Sequence, residues 1–495
     1  MKLLKINPAD NVAVALTPIA AMEDVSVDGM VLTVVESVGA GHKVALNPIA
    51  SGDSVIKYGH PIGRATTRIS PGQTVHTHNL KTALDGLLEY TYTPQHIKLA
   101  PREPGMFRGF RRSGGKVGIR NEVWIIPAVG CINVTAEILA KSARELLCDT
   151  DSIDGVYAYG HPYGCSQLGE DHENTRRAIA GLTAHPNAGA VLVLGLGCEN
   201  NDVVGIKELL GDYDRERIKF LVCQESEDEI EDGLAMLRSL VDYASRSTRE
   251  DVPMSELIVG LKCGGSDGFS GISANPLVGA FTDRLIAEGG SAILTEVPEM
   301  FGAETILMNR CRTPELFERT VSMINEFKDY YIANGQNVYE NPSPGNKDGG
   351  ISTLEDKSLG CVQKGGNADV TDVLDYGNSV AKRGLNLLNG PGNDLVSVSG
   401  MTVSGAQLIL FTTGRGTPFG APAPTVKISS NTALYDKKRA WIDFDAGPLL
   451  SGTPMATLRD QLYEYVRALA SGEIQTKNEI IDAREFTIFK TGVTL

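Results

Sequence analysis

The sequence predicts an α/β protein: a small N-terminal β module followed by two α/β domains with mostly parallel sheets. Three observations carry this prediction. Residues 1–92 hold short alternating apolar runs such as Asn11-Val12-Ala13-Val14-Ala15-Leu16, punctuated by Gly, Pro, Asp and Asn. From Asn121 onward, strand-like runs alternate with helical stretches. Finally, the apolar run 257–261 breaks abruptly into Lys262-Cys263-Gly264-Gly265-Ser266-Asp267-Gly268, as a buried strand does when it delivers small polar groups to a ligand. The 495 residues exceed the roughly 100–200 of a typical domain. The breaker-rich stretch 93–120 reads as a linker, giving 1–92, 121–250 and 251–495 as the domains.

Composition narrows the function. A net charge of −15 and the absence of any Lys/Arg-rich run argue against nucleic acid or an anionic membrane as partner. The N-terminus loses its apolar character too soon for a signal peptide, and no apolar run approaches the ~18 residues of a membrane span. A cytoplasmic protein is expected. Eight cysteines without a CxxC pair fit neither a disulfide framework nor a zinc ribbon. They read as reduced thiols, some of them ligands.

Four of the eight histidines lie in the N-terminal module: His42, His60, His76 and His78. On a strand, residues i and i+2 share a face, so His76 and His78 could aim two imidazoles at one ion or substrate; the alternative is a solvated surface pair. The linker arginines Arg108, Arg111, Arg112 and Arg120 are either solvated or meet carboxylates bidentately.

In the second domain, strands are expected over 123–126, 155–159, 190–194 and 219–223, and a helix carries Leu139, Ala143, Leu146 and Leu147 on one face. In parallel sheets, ligands gather outside the carboxyl ends of the strands. Cys131, Cys165, Cys198 and Cys223 fall there, and Cys263 does so in the next domain. Such a set favours a soft metal, iron above all. Cys148, Cys223 and Cys311 are read as packing thiols. Gly195-Leu196-Gly197 lacks the third glycine of a dinucleotide fingerprint.

The C-terminal domain is expected to hold strands over 257–261, 291–295, 395–398, 408–412 and 425–428, a helix over 314–332 and a polar loop over 334–353. Thr412-Thr413-Gly414-Arg415-Gly416-Thr417-Pro418 has the form of an anion cradle, with glycine amides, hydroxyls and one cation.

Taken together, Gly164-Cys165-Ser166-Gln167, Gly197-Cys198-Glu199-Asn200, Cys263-Gly264-Gly265-Ser266-Asp267-Gly268, Glu296-Val297-Pro298-Glu299, Pro342-Ser343-Pro344-Gly345-Asn346 and Gly414-Arg415-Gly416-Thr417-Pro418 resemble the altronate/galactarate dehydratase family from end to end. His42 and Thr74-Val75-His76-Thr77-His78-Asn79 resemble the histidine motifs of its SAF domain, a β-clip fold. The resemblance implies a cytoplasmic hydro-lyase of hexuronate catabolism, activated by Fe2+ or Mn2+, that converts D-altronate to 2-dehydro-3-deoxy-D-gluconate and water. Removing the C2 proton of a hydroxy acid adds charge to an anion, so such a site needs a metal or several cations, a base and an acid. The expected catalytic residues are Lys57, His78 and Asp267, with Lys57 or a neutral histidine moving the proton. Ser266, Asn346, Gly414, Arg415 and Gly416 are expected on the substrate, and His42, His76, His78, Cys165, Cys198 and Cys263 on the metal. Alternatives are a dehydratase of galactarate or another sugar acid, a sugar-acid-binding protein without turnover, and an iron–sulfur hydro-lyase using Cys165, Cys198 and Cys263. The expected assembly is a homodimer.

Overall fold

The computed structural model describes residues 1–146 and 152–492. Leu147 and Cys148 fall outside them. The N-terminal module is all β. Its core sheet runs Leu3–Leu4, Val12–Ala15, Lys43–Ala45, Thr74–Val75, with antiparallel neighbours throughout. A second antiparallel sheet of Ser54–Lys57, His60–Ala65 and Leu80–Lys81 and the hairpin Glu23–Val27/Met30–Val34 complete it.

The second unit is a four-stranded parallel sheet ordered Gly155–Ala158, Glu122–Pro127, Ala188–Gly195, Ile218–Val222. Both faces are covered by helices Asn133–Leu146, Gly169–Thr183, Val203–Leu210 and Glu229–Ser245. Every residue of Glu122–Pro127 and Ala188–Gly195 is buried, which is why these runs are apolar without alternation.

The third unit carries a seven-stranded parallel sheet: Val370–Leu374, Gly384–Leu388, Ser291–Leu294, Ile258–Cys263, Leu408–Thr413, Thr425–Ser429, Phe444–Asp445. Ile258–Cys263 comes first in the chain and lies inside the sheet. The chain adds Ser291–Leu294 on one side of it and returns with Leu408–Thr413 on the other. The carboxyl end of Ile258–Cys263 is therefore the switch point at which doubly wound sheets open a crevice.

Three local expectations change. Residues 395–398 are not a strand but part of helix Asp394–Val403, because the Asn393 side chain caps it by accepting from the Val396 amide. Residues 334–353 contain the short helix Pro344–Asp348, closed by a Ser343/Asn346 capping box. Within 93–120, Met106–Arg111 pairs antiparallel with Glu250–Pro253, and Arg120 grips the Glu479 carboxylate with Nε and Nη2 at 2.7 and 3.1 Å. That stretch is a structural seam as well as a connection. Among the described residues, no helix is long and apolar enough to cross a membrane.

Candidate active site

Cys263 ends the central strand and is buried at the switch point. Glu296 and Glu299 follow the neighbouring strand Ser291–Leu294, and Cys361 ends helix Leu354–Cys361. These elements bring the Cys263 and Cys361 sulfurs to 3.3 Å from each other. Glu299 Oε2 lies 3.3 Å from Cys263 Sγ and 3.2 Å from Cys361 Sγ. The three donor atoms fit within a sphere of ligand size, and all three residues are buried.

Buried charge of this density needs partners. Lys364 Nζ donates to Cys263 Sγ at 2.8 Å, and Lys357 Nζ holds the other Glu299 oxygen at 2.7 Å. Lys262 pairs with Glu296 and with Asp394, the latter at 2.8 Å. The hydrogen bond from Cys361, helped by the Lys364 ammonium, draws the Cys263 thiol down to about 6. Burial works against charge on Glu299, but Lys357, Lys262 and Lys364 outweigh it and hold the carboxyl well below its ordinary range. Burial, then the anionic Cys263 and Glu299, push Glu296 up. Glu296 also sits at φ 71°, a left-handed conformation that costs a non-glycine residue ~1–3 kcal/mol and persists where the surroundings demand it.

The N-terminal module closes over this cluster. Lys43 Nζ and Lys57 Nζ take the two oxygens of Asp356 at 2.8 and 2.9 Å, all three side chains being buried. Asp356 precedes Lys357 in the helix that ends at Cys361, so the module docks on the element that carries the second thiol. Lys43 also donates to Ser352 Oγ at 2.8 Å, and that hydroxyl lies 2.8 Å from His76 Nδ1. The His42 and His76 rings meet edge to face at 5.2 Å. Burial, then the Lys43 ammonium, lowers His76 to about 4, so its imidazole is neutral at pH 7. Between module and cluster lies a void of about 10 Å3, lined by Lys57, Ser266, Asp267, Asp356, Lys357 and Cys361 among others. That is about the space one water requires. Wider grooves of about 600 and 700 Å3 lie elsewhere on the surface and do not contain the thiol–carboxylate cluster.

The sequence-predicted residues divide accordingly. Cys263 joins the metal-type cluster; its partners are Glu299 and Cys361, not Cys165 and Cys198, which are exposed on the second domain. The shared-face argument for His76 and His78 fails, because the strand ends at Val75 and the chain turns: His76 is half-buried and His78 exposed. His42 and His76 neighbour each other instead. Lys57 does not suit a base. Burial opposes its charge, but the Asp356 carboxylate outweighs that and raises it above its ordinary range, whereas burial brings Lys43 down to about 8.

Ser266 is buried and its hydroxyl has no partner among the described residues, as a hydroxyl awaiting a ligand would. Asp267 is saturated: Ser270, Ser430, Asn431 and the amides of Phe269 and Ser270 all donate to it. It orders the turn. Asn346 does the same, accepting from Ser343 and donating to Ser266 O at 2.9 Å. The Gly414 and Gly416 amides are spent on Gly265 O and Thr413 Oγ1 at 3.1 and 2.9 Å, so the proposed amide cradle is closed. Arg415 is exposed, and its Nη1 donates to Gly345 O at 3.0 Å. Sequence reasoning missed Lys262, Glu296, Glu299, Lys357, Cys361 and Lys364 as site residues.

Three family models cover nearly the whole chain. The Altronate/galactarate dehydratase SAF domain matches residues 1–83, the D-galactarate dehydratase/Altronate hydrolase second domain 109–245, and the D-galactarate/Altronate dehydratase C-terminal domain 254–494. Altronate dehydratase of Escherichia coli (strain K12) is 51% identical, with 100% of both chains covered. Altronate dehydratase of Bacillus subtilis (strain 168) is 52% identical over 99% of both. Galactarate dehydratase (L-threo-forming) of E. coli is 31% identical, covering 96% of this chain and 93% of its own. A β module docked on a doubly wound sheet, motifs in matching order and end-to-end similarity all agree: the chain belongs to the D-galactarate/altronate dehydratase family.

Proposed function

We propose that this protein is a hydro-lyase that dehydrates D-altronate to 2-dehydro-3-deoxy-D-gluconate and water. The observation that carries this reading is the whole-length identity of 51% to an altronate dehydratase, against 31% to a galactarate dehydratase. The cluster suits the chemistry. Two thiols and a carboxylate oxygen form a donor set for a divalent ion, and thiolate ligands favour ferrous iron over manganese. Such an ion, when bound, supplies Lewis-acid stabilisation of charge on the substrate.

The chain's own groups do the rest. Lys357 orients Glu299 by taking its second oxygen, and Lys364 holds Cys263 as thiolate. Ser266 Oγ, buried and unpartnered, receives a substrate hydroxyl. Arg415, with donors beyond Nη1 at its disposal, receives the substrate carboxylate. Glu296 moves the proton, being the one carboxyl of the cluster that its surroundings push up rather than down. A six-carbon acid exceeds the void of about 10 Å3 beneath the N-terminal module and does not fit there with the module seated as it is.

The test is a substrate panel with a keto-acid readout, using protein stripped of metal and reloaded anaerobically with ferrous iron. Turnover of D-altronate should exceed that of D-galactarate. Preference for galactarate would move the chain to the sister activity, and binding without turnover would make it a sugar-acid-binding protein.

A further inference from the structure

The second domain carries thiols that the dehydratase centre does not use. Its first three parallel strands in chain order each end in a loop bearing a Gly-Cys pair: Gly130-Cys131, Gly164-Cys165 and Gly197-Cys198. The strands are adjacent, Glu122–Pro127 lying between Gly155–Ala158 and Ala188–Gly195, so the three thiols share one sheet edge. All three are exposed.

The loops are built to stay together. Gly130 N donates to Tyr163 O at 2.8 Å, Asn201 N to Gly164 O at 3.0 Å, and Ser166 N to Asn200 Oδ1 at 2.9 Å. Gly164, at φ 103°, packs so closely on Ala128 that a Cβ would come within 2.2 Å of its carbonyl oxygen. No other residue fits there. Ser166 also adopts a positive φ of 53°. The conformational cost is spent on fixing the loops that present the thiols.

Two further observations point to a ligand. Gln167 Nε2 and Asn201 Oδ1, on side chains at 4% and 0% exposure, have no hydrogen-bond partner among the described residues. Each sits within three residues of one of the cysteines. Val134, Leu168 and Val204, at the starts of the helices that follow these loops, are 66%, 66% and 63% exposed. Helices Asn133–Leu146, Gly169–Thr183 and Val203–Leu210 start at this edge, which favours a negatively charged occupant. The three thiols are not a single-ion site: among the described residues, only Cys263, Glu299 and Cys361 bring three donors within 4.8 Å. Ligands that each bind a different iron need no such common point.

The structure assigns Cys131, Cys165 and Cys198 as the ligands of a [4Fe–4S] cluster, distinct from the dehydratase centre. Two ferrous and two ferric ions with four sulfides assemble such a cluster without electron exchange, and three thiols each release a proton on binding. The fourth iron keeps an open position. This replaces the Cys165/Cys198/Cys263 set expected from sequence, because Cys263 belongs to the other sheet.

The test uses full-length protein purified anaerobically, then incubated with ferrous and ferric iron, thiol and sulfide. The parent should bind iron with acid-labile sulfide and gain broad visible absorption. Cys131→Ser, Cys165→Ser and Cys198→Ser should each lose most of both, while Cys263→Ser and Cys223→Ser keep them. Alkylation mapping of the parent gives a readout that no variant's folding can disturb: these three thiols should be protected only in the reconstituted protein. A parent that binds no sulfide, protection absent at the three thiols, or sulfide retained in all three variants would overturn the assignment. Loss in Cys263→Ser would place the cluster at the dehydratase centre instead.

Discussion

At the scale of single residues, the site is decided by which buried charges are answered and which are left open. Lys357 Nζ donates to Asn341 Oδ1 and pairs with the Glu299 oxygen turned away from the two sulfurs, so it supports the cluster from behind. Removing such a supporting partner typically costs about 10–100-fold in metal affinity or activity. Lys357→Met should therefore lower ferrous-ion affinity by that order, measured by equilibrium binding, and Lys357→Arg should restore part of it. Arg415→Lys should keep the fold but lower kcat/KM for the sugar acid by about tenfold, since a point charge cannot reproduce a planar fork. Parent-like kinetics would return Arg415 to a surface role. Legibility at this scale was uneven. Cys263 and Ser266 stood out because an apolar run ended in small polar residues. Cys361 did not, because Leu354-Glu355-Asp356-Lys357-Ser358 reads as a solvated helix, yet Glu355, Asp356, Lys357 and Ser358 are all buried. The charges of that helix find partners far away in sequence, Asp356 on Lys43 and Lys57, which no local pattern reveals. Glu296 and Glu299 lay inside a motif quoted for the family resemblance, and their close pairing with lysines was the missing signal.

At the scale of elements, the helix Leu354–Cys361 is the joint between module and sheet. One carboxylate, Asp356, answers two buried ammoniums, and breaking a buried pair of this kind costs about 3–5 kcal/mol because the stranded charge has no water. Asp356→Asn should lower Tm and lift the N-terminal module, seen as faster amide exchange across Lys43–Ala45 and Ser54–Lys57. Unchanged exchange there would mean that the module docks by its apolar contacts alone. The same helix end makes the site sensitive to oxidants. With 3.3 Å between the Cys263 and Cys361 sulfurs, a peroxide can take two electrons and two protons from the pair, forming a disulfide and water. Activity should fall on peroxide treatment and return with dithiothreitol, and peptide mapping should find the Cys263–Cys361 link. Expectations made from sequence were soundest for elements with strong periodicity, such as helix Pro314–Ala333, and weakest where a cap residue decided the outcome, as Asn393 did.

At the scale of the whole molecule, acid stability follows from what is buried. His161 and His185 are held neutral by burial, lowered to about 4 and about 3. A histidine whose folded value is depressed favours unfolding once the unfolded chain starts to protonate near 6.5, so stability is lost progressively as pH falls from there toward the folded values. Glu299 and Asp356, held low by lysines, add loss in the same direction below the ordinary carboxyl range. At pH 4.5 each buried histidine should cost about 2–3 kcal/mol. Thermal unfolding should show Tm falling between pH 7 and pH 4.5, with His185→Gln flattening that slope; a slope unchanged in the variant would assign the loss to the other buried histidine, His161.

On the proposed reading, a divalent ion binds at the carboxyl edge of the seven-stranded sheet, on Cys263, Glu299 and Cys361. Anomalous diffraction at the iron absorption edge, from anaerobic crystals loaded with ferrous ion alone, tests it most directly. The expected result is a peak within bonding distance of those three side chains, lost in Cys361→Ala. A peak between His42 and His76 with none at the two thiols would contradict it.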